Sequence, residues 1–206
     1  MPRSGHPLQR VARPALALVV VAAILAGCGS SSSTPPTPTR ASPTLAPQTP
    51  VAGLPAMTLE SVFPDDGPFP GQYACLGLNT SPPLHWSGAP AGVKAYVVFM
   101  DDPDAGGTFT HWVVYNIPAS ETELPEAIPA TKSFDNGVQQ GLNGSGTIGY
   151  TGPCPPKRVV HHYRFFVYAL DAALTVEAGV TRQEVTNAMN GHILAIGKLT
   201  GTYSRP

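Results

Sequence analysis

Basic side chains are scarce and scattered: 12 Lys and Arg in 206 residues, with no basic stripe to neutralise the phosphates of a nucleic acid. Three of them, Arg3, Arg10 and Arg13, stand at the extreme N-terminus, which leaves nine against 13 Asp and Glu, a formal charge of −4 for the remainder. That balance argues against nucleic acid as a partner and against adsorption to anionic lipid through a polybasic patch. Cysteine is rarer still, with three in the chain and no Cys-x-x-Cys spacing, so a structural zinc, which takes four protein ligands, is not expected. There is no Ser in a nucleophile-elbow context, no His-Glu-x-x-His and no phosphate-cradling Gly loop, so no cofactor is implied and no catalytic motif is recognisable. The apolar run from Ala15 to Ala26 is too short to span a bilayer comfortably.

What that run does resemble is a secretory h-region behind a basic n-region. It ends in Leu25-Ala26-Gly27-Cys28, which is similar to the bacterial lipobox. That similarity implies that residues 1–27 are removed and that Cys28 receives a diacylglyceryl group and becomes the new N-terminus. Two or three acyl chains hold a protein firmly to a membrane surface, whereas one is marginal. From residue 28 to 56 the chain is Ser, Thr and Pro with almost no aliphatic content, which cannot bury enough surface to offset the entropy of ordering. As a tether its reach is roughly 30 Å coiled to roughly 90 Å extended. The expected location is therefore outside the cytoplasm, on a lipid anchor at the cell membrane.

Residues 57–206 are the size of one ordinary domain with a real core, and carry no internal repeat. Lys94 to Met100, His111 to Ile117 and Tyr163 to Leu170 are short runs rich in β-branched and aromatic residues, as buried strands are. Met57 to Phe63 reads as a first strand, Pro64 to Pro68 as a turn, and Lys198 to Tyr203 as a closing strand. Trp86 follows an extended Ser81-Pro82-Pro83-Leu84 stretch and is expected to plug the core. Irregular Pro, Gly and Asn signals from Ala119 to Gly149 predict long loops. Several short strands separated by turn chemistry point to an all-β sandwich. One helix is expected near 181–195: Thr181-Arg182-Gln183-Glu184 is a capping-box pattern, and Val185, Ala188, Met189, His192 and Ile196 follow at helical spacing. Cys75 and Cys154 are an even pair that would face an oxidising compartment, and a disulfide between them is expected, with two inert buried thiols as the alternative.

Ionisable residues gather in two stretches at the ends of strand-like runs. Met100-Asp101-Asp102-Pro103-Asp104 leads to His111-Trp112, and Gly152-Pro153-Cys154-Pro155-Pro156 leads to His161-His162-Tyr163. Acid, imidazole and phenol groups at strand ends, beside prolines that stiffen the loops, are what a small polar pocket in a β scaffold needs.

These motifs, together with Trp86, Asn116-Ile117-Pro118 and Gly201-Thr202-Tyr203, occur in the order found in the phosphatidylethanolamine-binding protein family, in its bacterial Raf-kinase-inhibitor-like branch. The resemblance covers nearly all of the chain from Met57 onward. It implies antiparallel sheets packed face to face with few helices. It also implies an anion-binding site that maps onto Asp102, His111, His161 and Tyr163, with Pro155 and Pro156 shaping the rim and Asp104 as the second acid of the Asp-Pro-Asp motif. One departure is Gly106-Gly107 after Ala105, where the family commonly has Pro.

Those residue types suit the task. A protonated imidazole donates from both nitrogens, and a neighbouring carboxylate favours that form. His111 and His161 would present N–H groups to a phosphate oxygen, Asp102 would orient one ring and accept from a headgroup amine or hydroxyl, and Tyr163 would add a neutral donor. The expected function is binding of a small anionic or phosphorylated ligand, phospholipid headgroups included. Two alternatives stand beside it: a protease inhibitor or interaction module using a loop such as Glu121 to Ser133, and a metal-dependent or acid/base hydrolase built on the same Asp, His, His and Tyr.

Overall fold

A computed structural model describes residues 53–206; the leader, the lipobox Cys28 and the tether up to residue 52 lie outside the described residues. In chain order the elements are β1 (Ala56–Glu60), β2 (Gly67–Pro68), β3 (Leu84–Ser87), β4 (Ala95–Asp102), β5 (Phe109–Pro118), β6 (Glu123–Leu124), β7 (Gln139–Gln140), β8 (Val160–Leu170), α1 (Arg182–Met189) and β9 (Ile193–Ser204). The protein is mostly β with one α-helix among the described residues, the class expected from the sequence.

The strands form one sheet in the order β6-β3-β1-β9-β8-β4-β5-β7, with β2 on β9. Pairing is antiparallel except where β1 and β2 run parallel to β9. The sheet curls. Leu124 of β6 and Val138 beside β7 come from opposite edges of the strand order yet join one core cluster, which a flat sheet would not allow. The expected pair of antiparallel layers is thus one curled, mixed sheet.

β4 explains why the middle of the sheet holds. All eight of its residues are buried, and alternation sends them to different cores. Tyr96, Val98 and Met100 meet Trp86, Trp112 and Phe165 inside the curl. Val97 and Phe99 meet Tyr115, Tyr168 and the α1 residues Val185 and Met189 on the outer face. Trp86 does plug the core, edge-on to Tyr96 with centroids 5.3 Å apart.

α1 starts where the sequence predicts. Thr181 Oγ1 accepts from the Glu184 backbone N–H, and the Glu184 carboxylate accepts from the Thr181 backbone N–H at 2.8 Å, a complete capping box. It ends earlier than expected, at Met189. Asn190 leaves the helical conformation and Gly191 sits at φ +84°, a region open to Gly at little cost. His192 is therefore not on an apolar helix face. It lies in the turn and pairs with Asp171, Nδ1 to Oδ1 2.7 Å, and the closing strand begins at Ile193 rather than Lys198. Cys75 and Cys154, 79 residues apart in sequence with Cα atoms 5.4 Å apart, are joined in a disulfide.

Candidate functional site

The site lies where β4, β5 and β8 end. Alternation along β4 splits the adjacent acids: Asp102 follows Met100 to the inner face, while Asp101 faces the helix. β8 places His161, Tyr163, Phe165 and Val167 on that same inner face, seen in its alternating burial before Phe165. His111 arrives by a less regular route. The β4–β5 register runs Met100 to Trp112 and then Asp101 to Thr110, so His111 is an extra residue on β5. A bulge of this kind re-aims a side chain, and the His111 ring packs against Phe109 at 4.8 Å and Tyr163 at 5.2 Å.

Asp102, Asp104, His111, Pro155, Pro156 and His161 line one cavity of about 460 Å³. Six of the seven residues expected to bind ligand thus meet, although they come from two separated stretches of the sequence. Tyr163 does not line it. It is wholly buried against the two imidazoles, stacked on His161 at 6.4 Å and edge-on to His111. The Tyr163 hydroxyl has no hydrogen-bond partner among the described residues. Burial first, and then the Asp102 carboxylate, push its pKa far up, so it stays a neutral phenol.

Both carboxylate oxygens of Asp102 are engaged within the protein. One carboxylate oxygen accepts from the Asp104 backbone N–H at 2.8 Å and the other meets His161 Nδ1 at 2.7 Å, with both side chains buried. The headgroup-accepting role expected of Asp102 therefore competes with two bonds already in place. His111 Nδ1 lies 2.6 Å from the Thr151 carbonyl. A carbonyl only accepts, so His111 carries its proton on Nδ1 and leaves Nε2 as the free nitrogen. The same logic leaves Nε2 free on His161. Burial is the main influence on His111 and pulls its pKa below the ordinary imidazole value; the Thr151 bond and the Asp102 and Asp101 carboxylates oppose this without reversing it. His111 is accordingly neutral at pH 7, and the doubly donating form expected for both rings is not its resting state.

Asp104 closes the rim differently. Its Oδ2 accepts from the backbone N–H and Nδ1 of His162, each at 2.8 Å. Burial alone would raise its pKa, but the His162 hydrogen bonds outweigh that and hold the carboxyl below its ordinary range.

Sequence reasoning missed several supports. Thr151 contributes only a carbonyl, which no motif reveals. Gly152 is packed so tightly that a Cβ there would lie 2.4 Å from the Tyr73 carbonyl oxygen, while its N–H donates to Asn79 Oδ1 at 2.7 Å. Arg182 is the least legible. From the helix it reaches back to Asp101 with Nε and Nη2, at 2.7 to 3.0 Å, and lies 4.4 Å over the Phe99 ring. Among the described residues, no group of three or more His, Cys, Asp or Glu side chains is placed to hold a metal ion.

The family model for phosphatidylethanolamine-binding protein matches residues 59–204, from β1 to the end of β9. The chain belongs to the phosphatidylethanolamine-binding protein family. A UPF0098 protein of Methanothermobacter thermautotrophicus is 47% identical over 144 residues, covering 69% of this chain and 95% of the relative. A Mycobacterium tuberculosis protein named as a candidate lipoprotein, LppC, is 38% identical over 201 residues, covering 94% of each chain. Among solved structures, Escherichia coli YbcL superposes with a TM-score of 0.65 at 33% identity, covering 73% of this chain and 99% of that one. The phosphatidylethanolamine-binding protein match takes in every element that contributes a side chain to the cavity.

Proposed function

We propose that the cavity binds a small oxyanion, a phosphate or a phosphate-bearing headgroup, and that the protein acts by binding rather than by turnover, outside the cytoplasm on a lipid anchor at Cys28. The observation that carries the ligand reading is the pair of buried imidazoles at one cavity, each fixed through Nδ1 and each with Nε2 free. His161, held through Nδ1 by Asp102, offers Nε2 to an anionic oxygen. A neutral His111 accepts at Nε2, which suits an oxyanion that carries its own proton, or it takes up a proton as the anion arrives. The family membership supports this reading, since relatives are named for a phosphate-containing lipid. The anchor rests on the lipobox and on similarity to LppC across nearly the full length of both chains.

A thermal-shift titration with phosphate and phosphoethanolamine tests it. Both ligands are expected to raise the melting temperature. His161→Ala, checked for retained folding, is expected to weaken binding roughly 10- to 150-fold, the value of one charge-assisted hydrogen bond. Equal binding by the wild type and His161→Ala would remove the imidazole pair from the account.

A further inference from the structure

A second cavity, of about 380 Å³, opens at the seam where the curled sheet brings its two edges together. Its walls are apolar: Ile117 of β5, Leu124 of β6, Val138 beside β7, and Ile128 and Phe134 from the intervening loop. The first three are buried core residues, so this is the edge of the core left open. Around its mouth stand Glu121, Glu123 and Asp135, all exposed, and no Lys, Arg or His lines it. Among the described residues none of these three carboxylates forms an ion pair, although five other carboxylates in the domain do.

The walls are held in place without a ligand. The Phe134 N–H donates to the Val138 carbonyl at 2.9 Å, and Gly137 turns between them at φ +89°. Ala127 adopts a left-handed φ of 59°, its N–H bonded to the Ser81 carbonyl at 2.9 Å, while Ile128 donates to Ser81 Oγ at 3.0 Å. A preformed apolar hollow of this volume lies in the range that takes a small molecule, about 300–1,000 Å³. The acidic rim sets the charge of the occupant. A cation with an apolar body would bury its hydrocarbon against Leu124 and Val138 and keep its ammonium in water among the three carboxylates, with the Phe134 ring adding attraction for positive charge.

We propose that this seam cavity is a binding site for small organic ammonium ions with an aromatic or aliphatic body, separate from the oxyanion cavity and independent of its function. The test uses three probes that differ only in the end group: 4-phenylbutylammonium, 4-phenylbutanol and 4-phenylbutyrate, titrated into the ¹⁵N-labelled full chain at low salt. Amide shifts are expected at Leu124, Phe134 and Val138, with the ammonium binding at least about fivefold tighter than the alcohol and the carboxylate weakest, as a few-fold per exposed charge implies. In Glu121→Gln/Glu123→Gln/Asp135→Asn, whose changes are all at the surface, the alcohol should bind as before while the preference for ammonium falls below about twofold. Equal binding of ammonium and alcohol, a preference that survives in the triple variant, or shifts confined to the oxyanion cavity would each overturn the assignment. Binding of a lysine-containing peptide without the small ammonium would do so as well.

Discussion

Two histidines of the same type, on the strands that flank β4 in one sheet, are given different jobs by one partner each. His161 leans on a carboxylate and His111 on a carbonyl, 2.7 and 2.6 Å away. Since the His111 pKa is lowered from 6.5, mainly by burial, its imidazolium appears only in acid while the domain is empty. An oxyanion at Nε2 favours that imidazolium, so binding draws in a proton. Affinity for phosphate is therefore predicted to rise as pH falls below neutrality, by at most about tenfold per pH unit for one proton. Calorimetry across pH 5 to 8 checks this, and His111→Gln should flatten the dependence; affinity that falls with acid would contradict it. The sign for folding is opposite. As pH falls, the unfolded chain protonates His111 first, so its contribution to stability is full above about 6.5 and is lost as pH falls toward the folded value. The residue types of the site were legible because Asp102, His111 and His161 stand in recognisable motifs. The protonation of His111 was not, because it depends on the Thr151 carbonyl and on a bulge that shifts the phase of β5, and neither leaves a mark in the local pattern. Tyr163 was placed on the correct face by alternation, and it lies buried against the rings of His111 and His161.

The helix and the site are joined through one buried ion pair. α1 offers Arg182 at its first turn, and Asp101 receives it one residue before Asp102; both side chains are buried, and Thr110 donates to the same carboxylate at 3.0 Å. Two charges so placed help little relative to an apolar pair, but losing one of them leaves the other stranded. Asp101→Asn or Arg182→Met is predicted to lower unfolding free energy by about 3–5 kcal/mol. Replacing both partners with apolar residues should recover most of it, as chemical denaturation would show; single changes costing under about 1 kcal/mol would mean that the pair is well solvated. The start of α1 was readable because a capping box is spelled out in four consecutive residues. Its end was misread because Ile196 continues a 3.6-residue apolar rhythm that Gly191 interrupts. Asp101 and Arg182 are 81 residues apart, and nothing local in either stretch announces the other.

At the scale of the whole molecule, the cavity depends on bringing distant segments together and holding them. β4, β5 and β8 were legible as buried runs, while the order β6-β3-β1-β9-β8-β4-β5-β7 and the parallel pairing of β1 with β9 were not, because strand partners are chosen by long-range contacts. The Cys75–Cys154 bond closes 79 residues of chain and fastens the rim segment that carries Pro155 and Pro156. Cys75→Ser/Cys154→Ser is predicted to cost roughly 2–4 kcal/mol of stability in urea and to weaken phosphate binding as the rim loosens; unchanged values for both would leave the bond without a role at the site. The central claim is that two separated loops set two imidazoles around one oxyanion. Imidazole ¹⁵N shifts of His111 and His161, recorded at pH 6.5 with and without phosphate, test it most directly. The account predicts that the Nε2 signals of both buried rings shift together on saturation, that of His111 toward its protonated position, while the exposed His85 stays still. Saturable phosphate binding that leaves either buried ring unmoved would contradict it.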